Sequence, residues 1–530
     1  MVDGNKRIWE NKEVQKRIKE IAVWGFLVSA FVVLVIVNIL WGRHIIDSDY
    51  ATQLLLSKIC SEEKRILTNS WIYGNEIRFI NTQIVYGGVF LFTDDWSKVR
   101  TIGNAILYLL MLGTYFYMMR SVKIEKKYKL IGGGLILIPY SIVALSIIYM
   151  SADYLPPVCI MLLALGAFME SLGAVEGKNR GMAIKSMAVL CAIFLIAGMN
   201  GIRSVLVILG PLCLVGIYRL ILNTDKKVEN EMLIWIVSII SFVTGFGINV
   251  FVFMPKYGFN SHNGLAFADL GDGILLKNME ECLSMFLKAL GYAPASVFSL
   301  HGIIDMAVLC LAVSAVYMVG NNMNCETEGV SEGLLKQFLV CSVLFNLVFY
   351  GITDGRMLIP RYVIHVNSIL IPVLIICVYQ ERDKIKKYVY ILVISCFFGI
   401  GALRTYYSLA INDYNADRYA SIRFLQENHL EFGYATPWNA GVIMELTDGE
   451  IEVVNMEDFE HGIPDGVTCP RRWFTESYKD PVFLLLSAEE FDSCQGSDIL
   501  SIGDLAYEDE NFKILIYQSA GDICKYSLGD

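Results

Sequence analysis

Charge is scarce in this chain. Asp, Glu, Lys and Arg make up 18% of 530 residues, against 55% hydrophobic residues, where soluble chains carry about 25% charge. The mean hydropathy is +0.50. A string of water-soluble domains, the usual reading of this length, is thereby excluded. Proline is also rare, with 12 in all, and no low-complexity run occurs, which removes collagen-like and disordered classes. Thirteen cysteines contain no C-x-x-C spacing, so the usual zinc and dithiol signatures are missing. Most of them, such as Cys159, Cys213 and Cys377, sit in apolar runs as small hydrophobes. Cys469, Cys494 and Cys524 form an odd set near the end and define no disulfide framework.

What is present is apolar sequence in span-sized blocks. A bilayer core needs roughly 20 apolar residues in a helix. The first block is Ile21–Trp41, preceded by Lys6, Arg7, Lys12, Lys16, Arg17 and Lys19. It is too long for a secretory leader and lacks a small-residue cleavage site, so it reads as an uncleaved anchor. Ten more spans follow at 100–119, 130–150, 157–174, 183–199, 204–222, 232–254, 303–320, 337–352, 363–379 and 389–405. Basic residues fall in every second connection: five between Arg120 and Lys129, then Lys178, Arg180 and Lys185, then Arg219, Lys226 and Lys227, then Arg382, Lys384, Lys386 and Lys387. By the positive-inside rule these connections and the N-terminus are cytoplasmic. Eleven spans then put the C-terminus outside, in a multi-pass protein of the plasma membrane.

The charge is uneven along the chain. From Tyr406 onward there are 24 acids and 7 Lys/Arg; the first 405 residues hold 29 acids and 36 Lys/Arg. The expected organisation is a transmembrane domain over 1–405 and a soluble acidic extracytoplasmic domain over 406–530. Bases scattered over short loops make no continuous stripe, so no nucleic-acid partner is expected. Two external segments, 42–97 and 255–302, are longer than connection requires. Within the second, Leu275, Met279, Leu283, Phe286 and Leu290 recur at helical spacing and predict a helix lying flat on the membrane surface. In the tail, Ala416–Asn428 predicts a helix. Val442–Glu445 and Ile451–Val454 flank Thr447-Asp448-Gly449 as a hairpin, and Phe483–Leu486 and Phe512–Tyr517 read as strands. The fold class is an all-α polytopic membrane bundle with a small C-terminal α/β domain.

Directly after the first span the chain reads His44-Ile45-Ile46-Asp47-Ser48-Asp49-Tyr50. Two carboxylates at the mouth of a bundle can serve as a general base toward a hydroxyl or amine. Equally, acids at this place can cap the next helix, Tyr50–Cys60. Arg78, Arg203, Arg356 and Arg361 fall on outer loops or helix ends, against the positive-inside bias. Arginine there suits bidentate phosphate binding, or else snorkels or pairs with Asp47 and Asp354. His262, His301 and His365 also lie on that side, without paired spacing to acids, so no metal or other cofactor is expected. Glu170 and Asp153 read as boundary residues.

The order of the first external segment resembles the GT-C membrane glycosyltransferases, in particular the branch of protein O-mannosyltransferases and aminoarabinose transferases (glycosyltransferase family 39). Asp47, Asp49, Tyr50 and Ala51 match the acidic pair and Tyr-Ala step after the first helix. Trp71-Ile72-Tyr73-Gly74-Asn75-Glu76-Ile77-Arg78 matches the polar loop, Ile84–Phe92 the apolar juxtamembrane segment, and Asp94–Arg100 the turn ending in Arg. Gly355–Tyr362 is similar to the family's Arg-Tyr turn. Two features depart: the family's Asp-Glu pair is Asp-Ser-Asp, and its His-Pro-Pro or Lys-Pro-Pro element is replaced by Arg78-Phe79-Ile80-Asn81-Thr82.

The resemblance implies an inverting transfer of a sugar from a polyprenyl-phosphate donor to a lipid, glycan or protein acceptor at the outer face. It assigns Asp49 first and Asp47 second as base. Trp71, Tyr73, Glu76, Arg78, Arg203, Arg356, Arg361 and Tyr362 are the expected substrate contacts. Membrane lipids are the remaining partners. A transporter or lipid flippase with an accessory external domain is the competing reading, and would need inverted repeats and interrupted helices with central charges. A scaffold whose acidic tail binds a partner is the third.

Overall fold

The computed structural model describes residues 12–74, 76–177, 180–222, 228–259, 267, 274–296, 298–323, 329–353, 358–459, 462–474 and 480–523. Among them ten helices are long and apolar enough to cross a membrane, from Glu13–Ile45 to Lys384–Glu427, and the chain is a multi-pass membrane protein. Central spans are wrapped by others: in Leu155–Glu176 and Pro360–Gln380, 78% and 83% of the apolar window is buried. The first span, with 22% buried, turns most of its surface outward. Such a surface is stable only against lipid.

One of the eleven expected spans, 130–150, is not continuous. A helix covers Lys126–Leu135, stops, and resumes at Ile142–Ala144 before widening into π-helical turns over Leu145–Met150. Pro139 has no N–H to give and disfavours helix at Ile138. Ser141 then restarts the helix by accepting the Ala144 N–H at 3.1 Å.

The C-terminal domain is a six-stranded sheet. Its strands are β2 (Phe432–Ala435), β3 (Glu452–Asp458), β4 (Ile463–Pro464), β6 (Val482–Ser487), β7 (Asp504–Glu508) and β8 (Phe512–Tyr517), in the order β4-β3-β2-β6-β8-β7. β2 runs parallel to both β3 and β6, and the others pair antiparallel. The expected helix forms as a short turn, Ala416–Arg418, and Tyr419–Glu427. The expected hairpin does not form: Val442–Glu445 belongs to a helix, Pro437–Leu446. Pro437 fits the first helical position, and Ala440, Met444 and Leu446 are strong helix formers. Asp448 and Gly449, at φ 53° and 80°, end that helix. Gly449 N–H bonds back to Met444 O at 2.8 Å, a helix-terminating arrangement built from the same residue types as a hairpin turn.

The domain and the segment 42–97 are joined as one unit. β1 (Trp71–Ile72) pairs antiparallel with β5 (Cys469–Pro470), and Arg471 N–H reaches Ser70 O at 2.9 Å. A buried ion pair is a second link to the domain. Arg100, in the helix Trp96–Arg120, grips both carboxylate oxygens of Glu445 at 2.5 and 2.6 Å and gives a further bond to Tyr50 O at 3.0 Å. The sequence resemblance placed Arg100 in a matching turn; in the structure it is the clamp on the domain.

The helix of the segment 255–302 covers Ile274–Ala289. Its buried side is Asn278, Cys282, Met285, Phe286 and Ala289, one step round from the expected stripe. Leu275, Leu276 and Leu283 point outward. Asn278 faces in because its amide satisfies the carbonyls of Gly351 and Thr353, at 3.2 and 2.7 Å.

Candidate active site

A cavity of about 340 Å³ opens where the segment 42–97, three short connections of the bundle and the C-terminal domain converge. Its first wall is the start of the helix Ser48–Glu63. Asp47 is the cap of that helix: backbone extended, its Oδ1 accepting the Tyr50 N–H at 3.0 Å. Crowding by the surrounding protein, then the like charge of Asp49, push its carboxyl up to about 7, against the pull of the Tyr50 N–H and Arg100. The residue keeps solvent contact, which softens that shift. Asp49 has another role. It lines the cavity, its side chain is 61% exposed, and its Oδ2 accepts from Arg361 Nη1 at 2.5 Å. The two acids, ranked Asp49 before Asp47 from the sequence, thus differ in geometry: one lines the cavity and the other caps the helix.

Behind Asp49 lies a buried network of two arginines and two acids. Glu76 Oε1 accepts from Arg78 Nε at 2.7 Å and from Arg203 Nη2 at 2.9 Å. Arg78 Nη1 also bonds Asp153 Oδ1 at 2.5 Å. Burial alone would raise the Glu76 and Asp153 carboxyls, but the adjacent guanidinium charges win and hold both below the usual range. The Arg203 guanidinium carbon lies 4.3 Å from the Tyr154 ring centroid and 5.9 Å from that of Tyr362, so the cations rest on aromatic faces. Among the described residues, Glu76 Oε2, Arg203 Nη1 and Arg361 Nε are buried without a hydrogen-bond partner. Such atoms are costly unless something completes them.

The backbone is shaped to hold these side chains. Asn200 bonds both Ile80 N–H and Ile80 O, at 2.8 and 2.9 Å. Asn249 ties Ile77 O to Met199 O, each at 2.7 Å. Gly201 sits at φ 81°, a conformation that side chains resist, and it starts the turn carrying Arg203. Wider π-helical turns at Leu145–Met150, Val205–Leu209 and Asn249–Phe253 each flank this floor, as such turns often do at functional sites.

No family model and no curated protein matches the chain in sequence. A solved structure does match in three dimensions. It is the crystal structure of ArnT from Cupriavidus metallidurans bound to undecaprenyl phosphate, with a TM-score of 0.54 over 93% of this chain and 98% of that one, at 12% identity. The chain has the GT-C fold. At that identity the GT-C likeness lies in the path of the backbone, so the chemistry of the cavity stands on this chain's own residues.

Of the residues expected to bind substrate, the GT-C bundle brings seven to this cavity: Trp71, Tyr73, Glu76, Arg78, Arg203, Arg361 and Tyr362. Arg356, Asp354 and His262 lie outside the described residues. Asp47 is not on the wall. His365 is buried in the bundle, 3.4 Å from Asn346 Nδ2, and His301 is exposed at a helix start; neither lines the cavity. Among the described residues no three His, Cys, Asp or Glu side chains are grouped to hold a metal. Sequence reasoning missed Asp153, taken for a boundary residue. Its signal was an acid in a short connection at the same end as three misplaced arginines. It also missed the wall given by the domain: Pro437, Trp438, Asn455, Asp465 and Thr468. The signal there was Thr436-Pro437-Trp438-Asn439, a helix start directly after a strand.

Proposed function

We propose that this protein is a membrane glycosyltransferase that moves a sugar from a polyprenyl-phosphate donor to an acceptor hydroxyl or amine, with inversion and with Asp49 as the general base. The observation that carries the reading is the pairing of Asp49 with Arg361 at the wall of a chamber backed by Arg78 and Arg203. The polyprenyl-phosphate lipid in the ArnT structure supports a lipid phosphate as leaving group here. The cavity volume lies within the small-molecule range of about 300–1,000 Å³.

Donor phosphate competes with Asp49 for Arg361, and it completes the open Nε of Arg361 and Nη1 of Arg203. A carboxylate released in this way is free to accept a proton. Asp49 takes the acceptor proton as the acceptor atom bonds to the anomeric carbon. The bond from that carbon to the phosphate oxygen breaks on the opposite face, and polyprenyl phosphate leaves with the electron pair. Arginine charge stabilises that oxygen as it develops. Counting the broken segment 126–150 with the ten long helices of the described residues gives eleven passes, which together with the basic connections supports an N-terminus in the cytoplasm and this chamber outside. Against a transporter, the interruption at Ile136–Ser141 carries no charged residue. The test is purified protein with labelled polyprenyl-phosphate sugars. Lipid-phosphate release is expected from wild type and lost in Asp49→Asn; release at the wild-type rate in Asp49→Asn would falsify the base assignment.

A further inference from the structure

The cavity has two chemically distinct ends. One is the arginine floor. The other is the carboxyl edge of the C-terminal sheet, which no step above uses. β2 is the parallel strand from which the chain turns toward β3 on one side and returns to β6 on the other. In open α/β sheets, ligands settle outside the carboxyl ends of strands at such a switch point. Here that edge faces the cavity through Trp438, just past β2, and Asn455, in β3.

We infer that this edge is an acceptor subsite for a saccharide, with one sugar ring stacked on Trp438. The inference deepens the proposed function and rests on it for the word acceptor. Three observations carry it. First, Trp438 is 72% exposed, although it belongs to a helix whose Asn439–Glu445 stretch is entirely buried. Gly441, three residues on, packs against Ser48 and Ala51; a Cβ there would meet Ser48 O at 3.3 Å and Ala51 Cβ at 3.2 Å. Positions three apart share a helix face, so Trp438 stands on the wall beside the turn that carries Asp49. Second, Asn455 is 6% exposed, and its Oδ1 has no hydrogen-bond partner among the described residues. A buried acceptor on a cavity wall calls for a donor from a ligand. Third, Leu56 is the only branched aliphatic side chain among the described lining residues, against five aromatic rings. Rings alternating with amide, hydroxyl and carboxylate groups suit a molecule with flat C–H faces and a rim of hydroxyls. An acyl chain would need aliphatic walls.

The test uses the full chain in lipid nanodiscs and saturation-transfer NMR. The probes are neutral hexose and N-acetylhexosamine tetrasaccharides, a serine/threonine-rich hexapeptide, and short-chain phosphatidylglycerol. At least one tetrasaccharide is expected to bind, with affinity about tenfold weaker in Trp438→Ala and nearly restored in Trp438→Phe, which keeps a ring. Thermal unfolding of both variants shows whether the fold is kept, and an exposed side chain gives no reason for loss. No saccharide binding, equal affinity in Trp438→Ala, or a peptide or lipid as the Trp438-dependent ligand would each overturn the inference. Donor consumption by wild type without acceptor separates the two claims. Release of lipid phosphate with no saccharide binding removes this subsite alone. Saccharide binding without donor consumption removes the transferase and leaves the subsite.

Discussion

Two arginine–carboxylate pairs, Arg100–Glu445 at the domain joint and Arg361–Asp49 at the cavity wall, have equally short contacts of 2.5 Å and opposite characters. At the joint both side chains are 5% exposed or less, with the guanidinium forked over both carboxylate oxygens and a backbone carbonyl. At the wall the pair is one-handed: the side chains are 33% and 61% exposed, and Arg361 Nε is unsatisfied. Burial and completeness, not distance, separate a fastener from a pair that can exchange partners. A buried pair punishes removal of either partner, whereas an open pair adds little stability and can exchange partners.

The strongest way to break that contrast is at the joint. Glu445→Ala leaves Arg100 buried and unpaired, and should cost about 3–5 kcal/mol. It should be read as a lowered unfolding temperature of the detergent-solubilised protein and as protease release of the C-terminal domain. Asp49→Asn should do the reverse: a fall of about 10²–10⁴-fold in sugar transfer, with an unfolding temperature close to wild type. Loss of folding in the second variant, or intact folding in the first, would erase the distinction. Arg203→Lys keeps charge but loses the fork and the stacking on Tyr154, and should weaken use of the lipid donor roughly tenfold to a hundredfold, the scale of a charge-assisted hydrogen bond. Gly201→Ala should cost about 1–3 kcal/mol, because φ 81° with ψ −164° is a backbone region essentially reserved for glycine, with a matching rise in KM for donor as the Arg203 turn shifts.

The smallest effect sharpens the difference between the two acids. Asp47, raised to about 7 in the fold from an unfolded value near 3.9, is disfavoured as an anion by folding. Its contribution is therefore whole at acid pH and is lost as pH rises toward and through 7. Asn mimics the neutral form and caps a helix equally well. Asp47→Asn should match wild type in unfolding temperature near pH 4 and exceed it slightly above pH 7. A constant gap across that range would mean that the titration does not occur.

Much of this was legible in the sequence, for reasons that also mark where legibility stops. Span-length apolar blocks disclosed the bundle, because lipid demands continuous apolar helix. Arg78, Arg203 and Arg361 stood out because they broke the charge rule for their end of the chain. The packed face of the helix Ile274–Ala289 was not legible for a related reason. Next to a membrane, leucines gain nothing by turning inward, so the apolar stripe does not reveal the packed side, and Asn278 marked it instead. The hairpin failed because Asp448-Gly449 serves a hairpin turn and a helix end alike, and only the long-range packing of Gly441 on Ser48 and Ala51 decides between them. The different settings of Asp47 and Asp49 needed coordinates: residues two apart take different hydrogen-bond partners once a helix begins between them.

The antiparallel pairing of Trp71–Ile72 with Cys469–Pro470 has a consequence for biogenesis. The segments it joins are made nearly 400 residues apart, and the second emerges only after every long helix is complete. Nascent chains that have already entered the bilayer therefore hold their arginines and Asp49 without a finished chamber around them. Translation arrested before the C-terminal domain leaves Pro437, Trp438, Asn455, Asp465 and Thr468 missing from the cavity wall.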